Sequence, residues 1–347
     1  FLNSSSNKKI SKQKPKANKS KKKAFDEIVK GYEKIEGLFT FYWNKDENKV
    51  YLALNPDQFD KIYLAGLTRQ SGDGYRYDGS NMMGEYPFFF KKVGQKVQLV
   101  EENVKFRAEK TSPSFKAIDN LMSNSILASA KIEGEADKNS GAVLVSAASL
   151  FLRDFAGTGS SRRSTFKLDK TNSYYESIQS FPFNSEIGVA LHFVSSNPQY
   201  TFTLPDSKSA IHRYHMSWSE IPETNYKPRL ADDRVGHFLT MHQDYTNIYQ
   251  ESPYVRYINR WNLEKADPSA KLSKPKKPII YWLENTIPHE FREPIREGIL
   301  GWNKAFEAIG FKDAIVVKQM PDDADWDPAD VRYSTIRWMI QPGSAYA

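Results

Sequence analysis

The sequence predicts an α+β protein in which a β-rich N-terminal part precedes a short β-α-β-β unit. Residues 25–265 contain repeated runs of β-branched and aromatic residues separated by polar turns, which is typical of antiparallel strands. Near the C-terminus, one helical pattern lies between continuous apolar runs. The chain has 347 residues, of which 39% are apolar, so it is long enough for two or three domains with buried cores.

The first 24 residues form a basic arm that is rich in Ser, Asn and Lys. Nine lysines lie between Lys8 and Lys23, and removing their charges takes the net charge of the chain from +7 to −2. Such a segment cannot bury enough apolar surface to fold, so we predict a disordered tether at 1–24. Because the basicity is confined to this arm, the sequence does not indicate a nucleic-acid partner.

The chain contains no cysteine, which excludes disulfides, thiol nucleophiles and thiolate metal sites. It also lacks an apolar run of the length, about 18 residues or more, that a transmembrane helix needs. The sequence begins at Phe1 rather than Met and stops at Ala347 without a terminal signal. We therefore expect it to be a piece of a longer protein.

The N-terminal part predicts one helix followed by a series of strands. The stretch AFDEIVKGYEKIEGL has helical spacing of its apolar residues and predicts a helix that Gly37 ends. Two hairpins follow, turning at Asn44 to Lys49 and at Gly94. The polar, Gly- and Ser-containing stretches 110–140 and 153–164 predict loops. Further strands are predicted from NVKFRAE, GAVLVSAASLFL, IGVALHFVSS, YTFTL and AIHRYHMSWSEI.

A Pro- and Lys-rich linker separates this part from the predicted β-α-β-β unit. PIIYWL predicts a buried strand, and strands at 314–319 and 331–339 complete the unit. Gly310 occupies the place where a left-handed C-terminal helix cap is expected. The helix between the first two strands is predicted from one apolar stripe: Ile295, Ile299, Trp302, Phe306 and Ile309.

The histidines do not form a recognisable zinc motif. PHEFREP approaches H-E-x-x-H, but Glu293 stands where the second histidine is needed, and Pro294 disturbs the first helical turns. His212 and His215 are three apart on a predicted strand, so they should lie on opposite faces.

Two acidic clusters are candidate sites. Asp323, Asp325 and Asp327 alternate in PDDADWDPAD and could supply carboxylate ligands for calcium, although the glycine and glutamate of an EF-hand loop are absent. In YKPRLADDRVGHFLT, charges lie between apolar flanks, which favours either a salt-bridged turn or a carboxylate held for a metal or substrate. The charged residues of that cluster are Arg229, Asp232, Asp233 and Arg234.

Four long phrases support a resemblance to a known family: PRLADDRVGHF, YVRYINRWNLEKADPSA, KKPIIYWLENTIPHEFREPIREGILGWNKAFEAIGFKDAI and MPDDADWDPADVRYSTIRWM. Together they resemble bacterial zinc-dependent metalloproteases of metzincin type that carry two N-terminal domains of unknown function. The resemblance implies that 25–75 is a small accessory domain and 85–265 a β-rich accessory domain. It further implies that 277–347 is the start of a metzincin-like α/β peptidase domain, truncated before its zinc motif.

The same resemblance implies a function. The complete protein would be a secreted or periplasmic zinc metalloendopeptidase that acts on a peptide or protein substrate. Its catalytic residues and zinc ligands would lie downstream of Ala347, so this chain would bind no zinc, would be inactive alone, and would need the C-terminal part of the peptidase domain as its partner. The alternative is a non-catalytic, extracellular β-rich module that binds peptide, glycan or protein.

Two further site predictions depend on this resemblance. Gly343, Ser344 and Ala345 would lead toward the edge of the substrate cleft, where an extended peptide aligns by strand addition. A carboxylate from an N-terminal segment can hold such enzymes latent by occupying the open position of the zinc. Asp232 or Asp233 could therefore act as a latch.

Overall fold

The computed structural model describes residues 22–71, 81–159 and 165–338, and most of these residues lie in β-strands. The predicted tether at 1–24 lies outside the described residues up to residue 21. The strands are β1 (Glu33–Ile35), β2 (Thr40–Asn44), β3 (Lys49–Leu54), β4 (Tyr63–Ser71), β5 (Asn81–Val93), β6 (Lys96–Glu101), β7 (Phe106–Arg107), β8 (Ser125–Glu133), β9 (Val143–Ser146), β10 (Phe166–Ser180), β11 (Asn184–Ser195), β12 (Ser209–Glu220), β13 (Leu239–Asp244), β14 (Tyr254–Ile258), β15 (Ile279–Leu283), β16 (Ile315–Gln319) and β17 (Thr335–Ile336).

The helices are short and few within these residues. None of them is long and apolar enough to cross a membrane. A single 3₁₀ turn covers Pro56–Gln58. The helices are α1 (Phe25–Ile28), α2 (Pro113–Leu121), α3 (Ala148–Phe151), α4 (His289–Leu300) and α5 (Asn303–Ala308).

Eleven strands form one curled antiparallel sheet. Its order is β1-β2-β3-β9-β8-β6-β5-β4-β12-β11-β10, and each neighbouring pair is antiparallel. Strands from both predicted accessory ranges, 25–75 and 85–265, lie in this sheet. Alternate side chains therefore line one inner face, and most of the core lies inside the curl.

The two ends of the curled sheet meet at the turn between β10 and β11. The Leu38 amide donates to the Phe181 carbonyl at 2.6 Å, and the Ser180 hydroxyl donates to the Phe39 carbonyl at 2.7 Å. A Cβ on Gly37 would lie 2.5 Å from the Ser180 carbonyl carbon, a distance that real Cβ atoms do not adopt. Glycine at this position therefore lets the two backbones touch and close the curl.

Aromatic side chains fill the centre of the core. Trp218 of β12 is fully buried, and its ring lies 4.7 Å from that of Phe151 and 4.9 Å from that of Phe88. Phe39 and Phe90 contact the same indole edge-on. These edge-to-face and tilted contacts join β12 to β5, to α3 and to the residue before β2, so Trp218 connects distant parts of the core.

A second, three-stranded sheet has the order β14-β13-β7 and lies beside the curl. Strand β7 pairs with β13 only at Gln243 and Asp244. Phe238 and Tyr249, which flank β13, have exposed fractions of 89% and 90%. This small sheet therefore presents aromatic side chains to solvent.

The C-terminal unit is a parallel sheet with the order β16-β15-β17. Helices α4 and α5 cover its face that carries Ile279 and Leu283. The Asn303 side chain fixes α5 to β16, because its amide donates to the Ile315 carbonyl at 3.0 Å and its oxygen accepts from the Ile315 amide at 2.9 Å. On the opposite face, the ring of Trp282 packs 5.2 Å from Trp326.

The predicted fold class is wrong. The structure is strand-rich, 41% strand against 13% helix, and a large curled antiparallel sheet dominates it; it shows no metzincin β-α-β-β α/β fold. The predicted helix is divided at Gly301 and Trp302 into two short helices. Within the described part of the predicted strand 331–339, which ends at Trp338, only Thr335 and Ile336 form a strand, because the residues before them form turns that Asp330 stabilises.

Individual element predictions have mixed outcomes. Both hairpins are confirmed as β2–β3 and β5–β6, and Gly310 has the expected left-handed φ of 94°. The predicted helix at 25–35 ends at Ile28 and gives way to β1. The predicted loop 110–140 contains α2 and β8, and the predicted strand YTFTL is a turn.

Replacing Trp218 with Ala should lower the free energy of unfolding by about 3–5 kcal/mol, because it removes a fully buried aromatic side chain and leaves a cavity. Urea unfolding would measure the change. Trp302→Ala is the matched control, since Trp302 is 66% exposed and its loss should change stability much less. Equal effects of the two substitutions would show that the indole of Trp218 does not link the core.

Candidate functional site

The turn between β10 and β11 also binds the C-terminal unit through one asparagine. Asn184 is buried, and its amide nitrogen donates to the Ala329 carbonyl at 2.8 Å. Its side-chain oxygen accepts from the Val331 amide at 3.1 Å. Nearby, the Gln179 side chain donates to Asp327 at 2.7 Å. The loop 327–331 is therefore held against the antiparallel sheet by paired hydrogen bonds.

A buried carboxylate lies next to this contact. Glu186 is on the outer face of β11, and one of its oxygens accepts from the Asn184 amide and the Ser217 hydroxyl, both at 2.6 Å. Its other oxygen accepts from Nε2 of His215 at 2.5 Å. Because a carboxylate only accepts, this contact places a hydrogen on Nε2 and leaves Nδ1 of a neutral His215 ring as an acceptor.

A second buried carboxylate lies at the carboxyl end of β15. Glu284 accepts from the Thr286 hydroxyl at 2.7 Å and from Nε of Arg337 at 3.1 Å. The Arg337 side chain is largely exposed, whereas that of Glu284 is buried. Glu284 therefore fixes one edge of the guanidinium and leaves its remaining donors free to meet solvent or a ligand.

These two groups line the same cleft, of about 490 Å³, between the antiparallel sheet and the C-terminal unit. We call it the His215–Arg337 cleft. Trp338 also lines it, and the Trp338 ring stacks on Phe291 with a centroid distance of 5.3 Å. The full lining comprises Thr68, Gln70, His215, Glu284, Thr286, Arg337 and Trp338. A concave site with a few convergent polar groups and an aromatic wall is typical of ligand binding.

Two Asp-x-Arg pairs in the chain have the same geometry but different burial. Asp232 accepts from the backbone amide, Nε and Nη2 of Arg234, and Asp330 accepts from the same three groups of Arg332. The Asp232 side chain is half exposed, whereas only 2% of Asp330 is exposed.

Both arginines lower the pKa of their aspartate. Hydrogen bonds from Arg234 lower the pKa of Asp232 to about 2. Burial alone raises the pKa of Asp330, but the hydrogen bonds and charge of Arg332 outweigh it and hold this pKa below 3.8.

The predicted charge cluster is an exposed turn beside β14. Asp232 is engaged by Arg234, and the Arg229 carbonyl accepts from the Ile258 amide. Arg229 also lowers the pKa of Asp232 through its charge. Asp233 is exposed in the same turn. The latch role of this cluster remains a prediction.

The remaining predicted sites are not assembled by the described residues. Asp327 is occupied by Gln179 and by the Ala329 amide, and it is not grouped with Asp323 and Asp325 into a site that fits calcium. The predicted cleft edge at Gly343, Ser344 and Ala345 lies outside the described residues.

The histidines do not fit zinc either. His212 and His215 lie on opposite faces of β12, as predicted, and His212 is buried beside Phe193 and Tyr214. His242 packs against Tyr257. Across 22–71, 81–159 and 165–338, no group of three or more His, Cys, Asp or Glu side chains could hold a metal ion.

His192 takes part in a hydrogen-bonded chain that the sequence did not indicate. Its Nδ1 lies 3.1 Å from Asp169, and its Nε2 lies 2.9 Å from the Ser209 hydroxyl. Asp169 also accepts from the Asn172 amide and from the Thr171 backbone. Because these contacts connect β10, β11 and β12 at the register shift after Asp169, we assign them to strand pairing.

The residues of the His215–Arg337 cleft were missed by the sequence analysis. Glu186 and His215 lie on different strands and follow no spacing rule, since strand register alone brings them together. Glu284 did carry a signal. It directly follows the buried strand β15, and the carboxyl ends of parallel strands are where ligands bind in open sheets.

A family comparison assigns the chain to a family without assigning it an activity. The model described as "Domain of unknown function (DUF5117)" matches residues 80–266. Since this is more than half of the 347 residues, the chain belongs to that family. No curated protein and no solved structure matches the chain.

Asn184→Ala should release the loop 327–331 from the antiparallel sheet. The substitution leaves buried partners without their hydrogen bonds, so we expect the free energy of unfolding to fall by about 1–3 kcal/mol. Hydrogen exchange should accelerate at Val331 and the residues around it. Asn262→Ala, at an exposed asparagine, is the control. Unchanged exchange at Val331 in Asn184→Ala would contradict the docking role.

Asp330→Asn should destabilise the protein by about 1.5–3 kcal/mol at neutral pH, because it removes charge-assisted hydrogen bonds. The folded-state pKa of Asp330 is lowered, so its contribution is complete above 3.8 and is lost as the pH falls through the lower folded-state value. The stability of Asp330→Asn should therefore fall less than that of the unsubstituted protein on acidification below about pH 4.

Asp232→Asn is the matched control for this experiment, because water screens its exposed pair. It should change the free energy of unfolding at neutral pH only slightly. Chemical unfolding between about pH 3 and pH 7 measures this free energy for both variants and for the unsubstituted protein. The same loss in both variants would contradict a special role for the buried pair.

Proposed function

We propose that this chain is the N-terminal portion of a zinc-dependent metalloendopeptidase. One observation carries the proposal: Asn184 holds the loop 327–331 on the antiparallel sheet. This loop belongs to MPDDADWDPADVRYSTIRWM, at 320–339, which is one of the phrases that resemble such enzymes. In this proposal, the DUF5117 region supports the segment with which the peptidase part begins. The hydrogen bonds to Ala329 and Val331 support such a role, because they fix the two parts relative to each other.

The described residues contribute positioning to this function and not the hydrolytic step. They contain no cluster that fits zinc, so the proposal assigns the zinc ligands and the catalytic glutamate to residues outside those described. The chain alone is then inactive. The proposed substrate is a peptide or protein, and the proposed location is secreted or periplasmic, in accordance with the resemblance.

A second candidate function is a non-catalytic module that binds peptide, glycan or protein. The observation that favours it is the exposed apolar surface of the small sheet, where Phe238, Met241 and Tyr249 are more than half exposed. Phe238 lies at one end of β13 and Tyr249 in the loop at its other end, so this surface extends along the strand. Exposed apolar patches often mark interaction surfaces. Under this alternative, binding would require this sheet and would be independent of zinc.

Hydrolysis of an unstructured protein by the complete gene product tests the proposal. We expect cleavage that a zinc chelator abolishes and that added zinc restores, whereas the 347-residue chain alone should not cleave. Phe238→Ser and Tyr249→Ser would be assayed in parallel for loss of binding. Absence of zinc-dependent cleavage in the complete gene product would overturn the peptidase proposal, and binding that those two substitutions abolish would then favour the module.

A further inference from the structure

We infer that the His215–Arg337 cleft binds the C-terminal residue of a peptide through its free carboxylate. The choice of a peptide rests on the proposed function, whereas the carboxylate is inferred from the cleft. Arg337 supplies a cationic fork whose one edge is held by Glu284 at 3.1 Å. The planar guanidinium matches the geometry of a carboxylate, so its remaining N–H donors form a preorganised binding site for this group.

Preorganisation distinguishes Arg337 from exposed arginines such as Arg296. The Glu284 side chain is 7% exposed and is also fixed by Thr286, so the carboxylate that orients the guanidinium cannot itself rotate into solvent. An arginine held in this way loses less side-chain freedom when it binds a ligand. The exposed Arg296, by contrast, pairs with Glu293 on the surface of α4, where both side chains are largely solvated.

His215 provides the complementary group. Glu186 accepts a hydrogen bond from Nε2 at 2.5 Å, so when the ring is neutral its Nδ1 is the acceptor that faces a ligand. The last residue of a peptide has both groups that the cleft requires: a carboxylate for Arg337 and a backbone N–H for His215. Thr68, which is directly opposite His215 in the strand register, adds a hydroxyl to the same wall.

Trp338 defines the side chain that this terminal residue should carry. The indole is partly exposed and stacks on Phe291 at an interplanar angle of 13°. This pair forms a flat apolar wall at the edge of the cleft, against which an aromatic or large aliphatic side chain can pack. The ligand class is therefore a peptide that ends in an apolar residue with a free carboxylate.

This ligand class has a consequence for the proposed enzyme. Hydrolysis of an internal peptide bond gives one product with a new C-terminal carboxylate and one with a new amino group. The cleft would take up the first product through its new terminus and would discriminate against internal segments of a chain, whose amides lack the charge. Each cleavage therefore creates one further C-terminus that fits the cleft.

Binding to the 347-residue chain tests the inference without any hydrolysis. The probes are the pentapeptide Ala-Ala-Ala-Ala-Phe as the free acid, the same peptide as the C-terminal amide, and the amide with Glu at its central position. Calorimetry should show that the free acid binds about 10- to 100-fold more tightly than either amide, because charged hydrogen bonds to the terminal group are lost. Equal binding of acid and amide would overturn the inference. Tight binding of the Glu-containing amide would overturn the assignment to a chain terminus.

Substitutions locate the binding site. Arg337→Gln should weaken binding of the free acid about 10- to 100-fold, whereas Arg296→Gln, at an exposed arginine on α4, should leave it unchanged. Because Arg337→Gln leaves Glu284 unpaired, the double variant Glu284→Gln/Arg337→Gln keeps the charge balance and should bind equally weakly. Unchanged affinity in the folded double variant would contradict the site.

The proposed function and this inference can fail separately. Acid-selective binding that requires Arg337 would support the cleft even if the complete gene product showed no zinc-dependent cleavage. Zinc-dependent cleavage together with no acid-selective binding would support the peptidase and overturn the cleft.

Discussion

The short turn between β10 and β11 is the contact on which the rest of the structure depends. On one side, Phe181 and Ser180 receive the backbone around Gly37 and close the curled sheet. On the other side, Asn184 holds the loop that leads into β17. Glu186 follows immediately and orients His215. One turn therefore determines the closure of the core, the position of the C-terminal unit and one wall of the cleft, and these features cannot vary independently.

The polar interior of this junction explains why its geometry is specific. Apolar side chains around Trp218 drive burial, yet many arrangements of such side chains would bury similar area. Asn184 uses both amide hydrogens and its oxygen, and Glu186 uses both carboxylate oxygens. A buried polar side chain without a partner is costly, and Asn184 finds its partners only when the loop 327–331 docks in one position on the antiparallel sheet. The hydrogen bonds thus select one arrangement among those that the apolar core permits.

The sequence predicted those elements that local chemistry determines. The hairpins turn at Asn48 and Gly94, which both have positive φ, and Gly310 ends α5 in the same region of backbone space. Strand β8 was missed because SILASAKIE mixes apolar residues with small and polar ones and lies in a polar stretch, and it is a strand because it pairs with β6 and β9. The cleft was missed for a similar reason. Glu186 and His215 are brought together by the pairing of β11 with β12, and sequence spacing contains no information on that register.

The family match ends at residue 266, whereas the partners of Asn184 lie at Ala329 and Val331. Sequence similarity therefore marks a unit of inheritance that is smaller than the unit of folding. A polypeptide that ended at residue 266 would keep the strands of its curled core but would expose Asn184 and Glu186, whose polar groups are satisfied within the larger unit. The surface exposed by this cut is polar rather than apolar. The fragment would therefore keep a well-solvated surface while lacking the loop 327–331 and the cleft beside it.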